Sequence, residues 1–154
     1  MAEFIFKKMV CDAGFVLCGE SASGENEVEE AGRKNVFRVD SAAVSYEEIW
    51  NDIYPPAKRT LAAHEIPYDR HSAHRITDAE ANEYDVIVTM DSSNRRLLSR
   101  IISPSNMAKV HGIMEYAGKD SDVSDPWYTG DFETTYRDIT KGCAGLLEYL
   151  LKTD

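Results

Sequence analysis

Apolar residues along the chain alternate between helical and strand-like spacing. Over positions 1–10 they recur at helical intervals, with Ala2, Ile5 or Phe6, and Met9 on one face and Glu3, Lys7 and Lys8 largely elsewhere. Residues 36–43 read as a strand running into a small-residue turn. A helical pattern follows over 47–64, interrupted by Pro55-Pro56, which a helix accepts in its first turn and which therefore set the start of its longer segment. Thr77-Asp78-Ala79-Glu80 has the Thr-x-x-Glu form of a capping box, with Ile76 as its apolar staple. Residues 84–90 are a short β-branched run of the kind buried in parallel sheets. Asp91 then caps a helix containing Leu97, Leu98 and Ile101, and a weaker strand lies at 109–114. The last helix is the plainest, with Phe132, Tyr136, Ile139, Cys143, Leu146 and Leu150 spaced by three or four behind the capping candidate Asp131.

This alternation predicts an α/β fold, a three-layer parallel sheet with helices on both faces. Ligands in such folds bind at the carboxyl ends of the strands, a rim that holds Ser41, Asp91 and the stretch after the last strand. Residues 19–35 break the pattern, being small and charged with a single strongly apolar residue. They read as an inserted surface loop in an otherwise single domain spanning 1–154.

Composition changes the picture in three respects. With 43% hydrophobic residues in 154, the chain has material for a core, and nothing marks it as disordered. No run of eighteen apolar residues and no signal-peptide order is present, so a membrane role is not expected and a cytoplasmic location is. A net charge of −10, from 17 basic and 27 acidic residues, argues against nucleic acid as a partner, though a phosphate pocket needs only a few local donors. Cys11, Cys18 and Cys143 form an odd set without metal spacing, against both a disulfide scaffold and a zinc site.

Few residues offer chemistry. Asp125-Pro126-Trp127-Tyr128 places a carboxyl beside two aromatics in a constrained loop, where partial desolvation favours the protonated form and general-acid work; a turn aspartate before a helix is the plainer alternative. His71 and His74 have i, i+3 spacing but no third metal ligand, so a structural histidine bonding a rim loop is expected. Cys18 heads Cys-Gly-Glu-Ser-Ala-Ser-Gly, a loop with no arginine to clamp phosphoryl oxygens and with a repelling Glu20. Cys11 and Cys143 fall in helical patterns, where buried, inert thiols are usual.

The order of four pieces resembles the low-molecular-weight protein tyrosine phosphatases: Ser41-Ala42-Ala43, His71-x-Ala73, Tyr84-Asp85 leading to Met90-Asp91-x-Ser93-Asn94, and Asp125-Pro126-Trp127-Tyr128-Thr129-Gly130-Asp131-Phe132-Glu133. That resemblance implies a thiolate nucleophile and an arginine in a Cys-x5-Arg loop, with an aspartic acid protonating the leaving phenol and no cofactor. It assigns the acid to Asp125, loop support to Ser41, His71 and Asp91, and the walls around a phosphotyrosine ring to Trp50 and Tyr128, with a phosphotyrosine protein or a small aryl phosphate as partner. No Cys-x5-Arg occurs in the sequence. The resemblance aligns Met1-Ala2-Glu3 with the helix that follows the family's loop, so an N-terminally truncated domain is expected, lacking the first interior strand, the nucleophile and the arginine, and inactive as it stands. Two other readings are a non-catalytic phosphatase-like binding protein and an arsenate reductase, which would need further redox cysteines.

Overall fold

The computed structural model describes residues 1–18, 36–45, 52–70, 73–126 and 130–152. The expected inserted loop at 19–35 lies outside them, as do Trp50, His71 and Tyr128. In chain order the elements are α1 (Ala2–Asp12), β1 (Val16–Leu17), β2 (Val36–Phe37), α2 (Pro55–Ala63), α3 (Asp78–Ala81), β3 (Ile87–Thr89), α4 (Ser92–Leu98), α5 (Pro104–Met107), β4 (Val110–Gly112), a 3₁₀ helix (Ile113–Ala117) and α6 (Phe132–Lys152).

Among the described residues all paired strands run parallel. Val16 lies opposite Val36 and Leu17 opposite Phe37; in the second pair Ile87, Val88 and Thr89 lie opposite Val110, His111 and Gly112. The Ile87 amide donates to the Lys109 carbonyl at 3.0 Å, so Ile87 and Thr89 turn their backbone groups toward β4. Val88 and Met90 turn theirs the other way, and the Met90 carbonyl accepts from the Val123 amide at 2.9 Å.

Helices cover both faces of the β3–β4 pair, as the alternation predicts. On one face Val86, Val88 and Met90 meet a core of Phe4, Ile5, Phe6 and Val10 from α1, Leu61 from α2, Ile113 and Met114 from the 3₁₀ helix, and Ile139, Cys143 and Leu146 from α6. On the other, Ile87 and Val110 pack with Ile76, Ala81 of α3, Leu98 of α4 and Ile102. The β1–β2 pair joins the first core through the edge-on contacts of Phe37 with Phe6 and Phe15, at 6.3 and 5.4 Å between ring centroids.

Several local expectations change. Strand β1 was not foreseen, because Phe15-Val16-Leu17 is too short to show alternation. The strands read at 36–43, 84–90 and 109–114 are shorter, the last giving way to 3₁₀ turns at Ile113. Thr77 caps α3 by accepting from the Glu80 amide at 3.1 Å, with Ile76 and Ala81 buried together as the staple. The reciprocal half of that box is replaced, since the Glu80 carboxylate bonds His74 at 2.7 Å. Cys11 is exposed rather than buried because the inward stripe of α1 passes through Phe4, Ile5, Phe6 and Val10.

Helix α6 is held unusually close to the 3₁₀ helix. A Cβ at Gly145 would lie 1.9 Å from the Tyr116 carbonyl oxygen, and one at Gly142 would lie 2.7 Å from the Ile113 carbonyl oxygen. Only glycine permits this backbone approach, so residues that look like helix defects by propensity are contact points.

Candidate active site

The rim at the carboxyl ends of the strands is built by backbone tethers. After β4 and its 3₁₀ helix the chain returns to β3 through the Val123–Met90 bond. The Ser124 carbonyl then accepts from the Thr135 hydroxyl at 2.8 Å, and the Ser124 amide donates to Asp138 at 3.4 Å. These bonds fix Ser124 between the sheet end and α6, and the next residue, Asp125, projects from that anchored point. The following turn closes by the Gly130 amide donating to the Pro126 carbonyl at 2.8 Å. Asp131 ends the turn by capping α6: its carboxylate accepts from the Thr134 hydroxyl and amide, which hold it below the usual carboxylate range.

Asp125 is exposed. The two aromatics expected to desolvate it, Trp127 and Tyr128, lie outside the described residues. The exposure of Asp125 gives a ligand access to it, and the bonds that hold Ser124 define the point from which it starts.

Asp91 directly follows β3 and its loop, and its carboxylate accepts from the Asn94 amide at 2.7 Å. The neighbouring Ser92 amide and hydroxyl both donate to Asp122, at 3.0 and 3.1 Å. Asp91 therefore braces the start of α4, and Asp122, which sequence reading did not single out, ties the return loop to the same point.

Ser41, beyond β2, donates its hydroxyl to the Glu3 carboxylate at 2.5 Å. The other Glu3 oxygen lies 3.0 Å from the Lys7 ammonium, and the Glu3 side chain is only 8% exposed. Periodicity had placed Glu3 on the polar side of α1; in the fold it is a nearly buried, charge-compensated carboxylate linking the first turn of α1 to the rim. Nothing in local spacing reveals a partner so distant in sequence.

The thiols do not assemble a nucleophilic centre among the described residues. Cys143 is buried, and that burial pushes its thiol up to about 12, leaving it essentially un-ionised at neutral pH. Cys18 is exposed at the end of β1, its amide bonded to the Phe37 carbonyl at 2.7 Å.

The model of the family described as low molecular weight phosphotyrosine protein phosphatase matches residues 21–154. The chain belongs to that family. Its phosphatase relatives include the low molecular weight protein-tyrosine-phosphatase PtpA of Staphylococcus haemolyticus, 31% identical over 107 residues, 67% of this chain and 68% of the relative. YfkJ of Bacillus subtilis, another low molecular weight protein-tyrosine-phosphatase, is 28% identical over 124 residues, 79% of each chain. Among solved structures, that of the Streptococcus pyogenes low molecular weight protein tyrosine phosphatase superposes with a TM-score of 0.73 at 30% identity, covering 97% of this chain and 82% of the other. The YfkJ crystal structure superposes with a TM-score of 0.79, covering 99% and 86%. The α/β phosphatase fold is therefore retained. Among the described residues no helix is long and apolar enough to cross a membrane.

Proposed function

We propose that this chain supplies the general acid and the substrate-facing rim of a phosphotyrosine phosphatase, acting in the cytoplasm on phosphotyrosine proteins or small aryl phosphates, with Asp125 as the acid. The observation that carries the reading is the anchoring of Asp125: an exposed carboxyl set one residue beyond a segment bonded to both the end of β3 and α6. A leaving phenolate needs a proton at a fixed place, and a binding-only protein has no need of one there. In this reading Ser41 and Asp91 support a phosphate-binding loop, His71 shares that role, and Trp50 and Tyr128 serve the substrate ring.

The nucleophile and the phosphate clamp are not among these 154 residues, which contain no Cys-x5-Arg. By itself the chain is therefore inactive toward aryl phosphates. The test is a paired assay of the chain alone and of the chain joined behind an apolar strand and a Cys-x5-Arg-Ser-Pro loop. Background turnover by the first and thiol-dependent turnover by the second is the expected result. Turnover by the chain alone that Cys18→Ser abolishes would place the nucleophile elsewhere; a joined protein that folds and stays inactive would favour the non-catalytic binding role.

A further inference from the structure

A shallow, open cleft of about 590 Å³ lies between α2 and the start of α6. One wall is a single stripe of α2, with Pro56, Arg59, Thr60 and Ala63 at helical spacing; the other begins at Gly130, the residue that closes the Asp125 turn, and continues through Asp131, Phe132 and Glu133. The cleft thus leads directly away from the acid loop. Phe132 stands against Tyr54 with 5.9 Å between ring centroids and gives the cleft an aromatic side.

Its charges are not equivalent. The Asp131 carboxylate is engaged by Thr134, and Glu133 is held by His64 at 2.8 Å, with the His64 ring stacked on Tyr136 at 3.7 Å. Arg59 is exposed in the cleft and has no hydrogen bond or ion pair with the described residues. Both carboxylates keep their charge but already have hydrogen-bond partners, so the charged lining group whose donors are unengaged among the described residues is the Arg59 guanidinium, a fork matched to a carboxylate.

We propose that this cleft is a specificity subsite: it receives the polypeptide flanking the phosphotyrosine, and Arg59 selects an acidic side chain in that segment. The inference rests on the phosphatase reading for the identity of the partner. Phe132 and Pro56 supply apolar contact for the peptide backbone, and Arg59 supplies the charge discrimination.

The experiment titrates the 154-residue chain with two synthetic peptides, one with tyrosine flanked by aspartates and one with asparagines in their place, following backbone amide shifts by NMR. The aspartate peptide should bind about two- to fivefold more tightly, the range for a solvated ion pair, with shifts concentrated in 55–63 and 130–133. Arg59→Ala should equalise the two peptides, Arg59→Lys should keep part of the preference, and Arg59→Glu should reverse it. Equal binding of both peptides by the wild type would overturn the proposal. So would an undiminished preference in Arg59→Ala, shifts centred elsewhere, or shifts that depend on protein concentration and so report self-association. The readout is binding and not turnover, so an aspartate-preferring cleft on an inactive enzyme and an indifferent cleft on an active one are told apart by comparison with the aryl phosphate assay.

Discussion

The Ser41 hydroxyl and the Glu3 carboxylate meet at 2.5 Å across 38 residues of sequence, joining the rim beyond β2 to the first turn of α1. Lys7 balances the charge from one turn further along the helix. Removing the hydroxyl leaves a nearly buried carboxylate short of a donor, a loss of about 1–3 kcal/mol. Ser41→Ala should lower stability to urea by that amount, whereas the same change in a Glu3→Ala background should cost much less. A coupling energy near zero in this double-mutant cycle would show that the contact is energetically idle.

Gly145→Ala tests the approach of α6 to the 3₁₀ helix. Helix propensity alone favours alanine by about 1 kcal/mol, but its Cβ would overlap the Tyr116 carbonyl. We expect destabilisation of about 3 kcal/mol or more, as for overpacking that must move backbone. A more stable variant would mean that the two segments sit further apart.

Acid should weaken the fold through two specific carboxylates. Asp131 is held below the ordinary range by the Thr134 hydroxyl and amide, and Asp78 by the Ser103 amide and the Asn106 side chain. A carboxyl with a depressed folded-state value stabilises the fold above its unfolded value, about 3.9, and that contribution is lost as pH falls through the lower folded value. Unfolding midpoints measured from pH 6 to pH 2.5 should therefore drop below about pH 4, and Asp131→Asn with Asp78→Asn should flatten the drop. An unchanged slope in the double variant would assign the acid sensitivity to other groups.

In the joined, active protein, Asp125→Asn should reduce turnover of a phenol-type aryl phosphate by roughly 10²–10⁴-fold, the usual contribution of a general acid. The loss should diminish as the leaving group becomes more acidic and departs without a proton. Equal losses across the series would indicate a positioning role instead.

Thiol labelling distinguishes the three cysteines. Cys11 and Cys18 are exposed and should react with an aromatic disulfide reagent in the native state, while Cys143 should react only on unfolding. Three rapid equivalents at neutral pH would contradict the burial of α6 against α1.

What was legible in the sequence follows from the range of each interaction. The cap of α6 at Asp131 and the Thr77 half of the α3 cap are made within three residues, so residue type and spacing reveal them. The carboxylate of Glu80 goes instead to His74, six residues back and outside any cap spacing, and Glu3 goes to Ser41, a partner 38 residues away that arrives through the tertiary fold. Helical periodicity identified the core stripe of α6 but could not distinguish Gly142 and Gly145 from ordinary helix-weakening residues. Asp125 was recognisable from the motif around it, while the tethers of the residues just before it, Val123 to Met90 and Thr135 to Ser124, are ones that no motif marks.

The glycine contact of α6 has a mechanical meaning for the loop that carries Asp125. A helix resting on side chains sits on a compliant bearing, since rotamers can yield and let it slide. Here α6 rests on the main chain that continues from β4, a hard stop, and the same helix carries Thr135 and Asp138, which hold Ser124. The position of Asp125 is thus referenced to the sheet as a machined part is referenced to a datum face, and a methyl group added at Gly145, twenty residues along the chain, would shift the whole gauge.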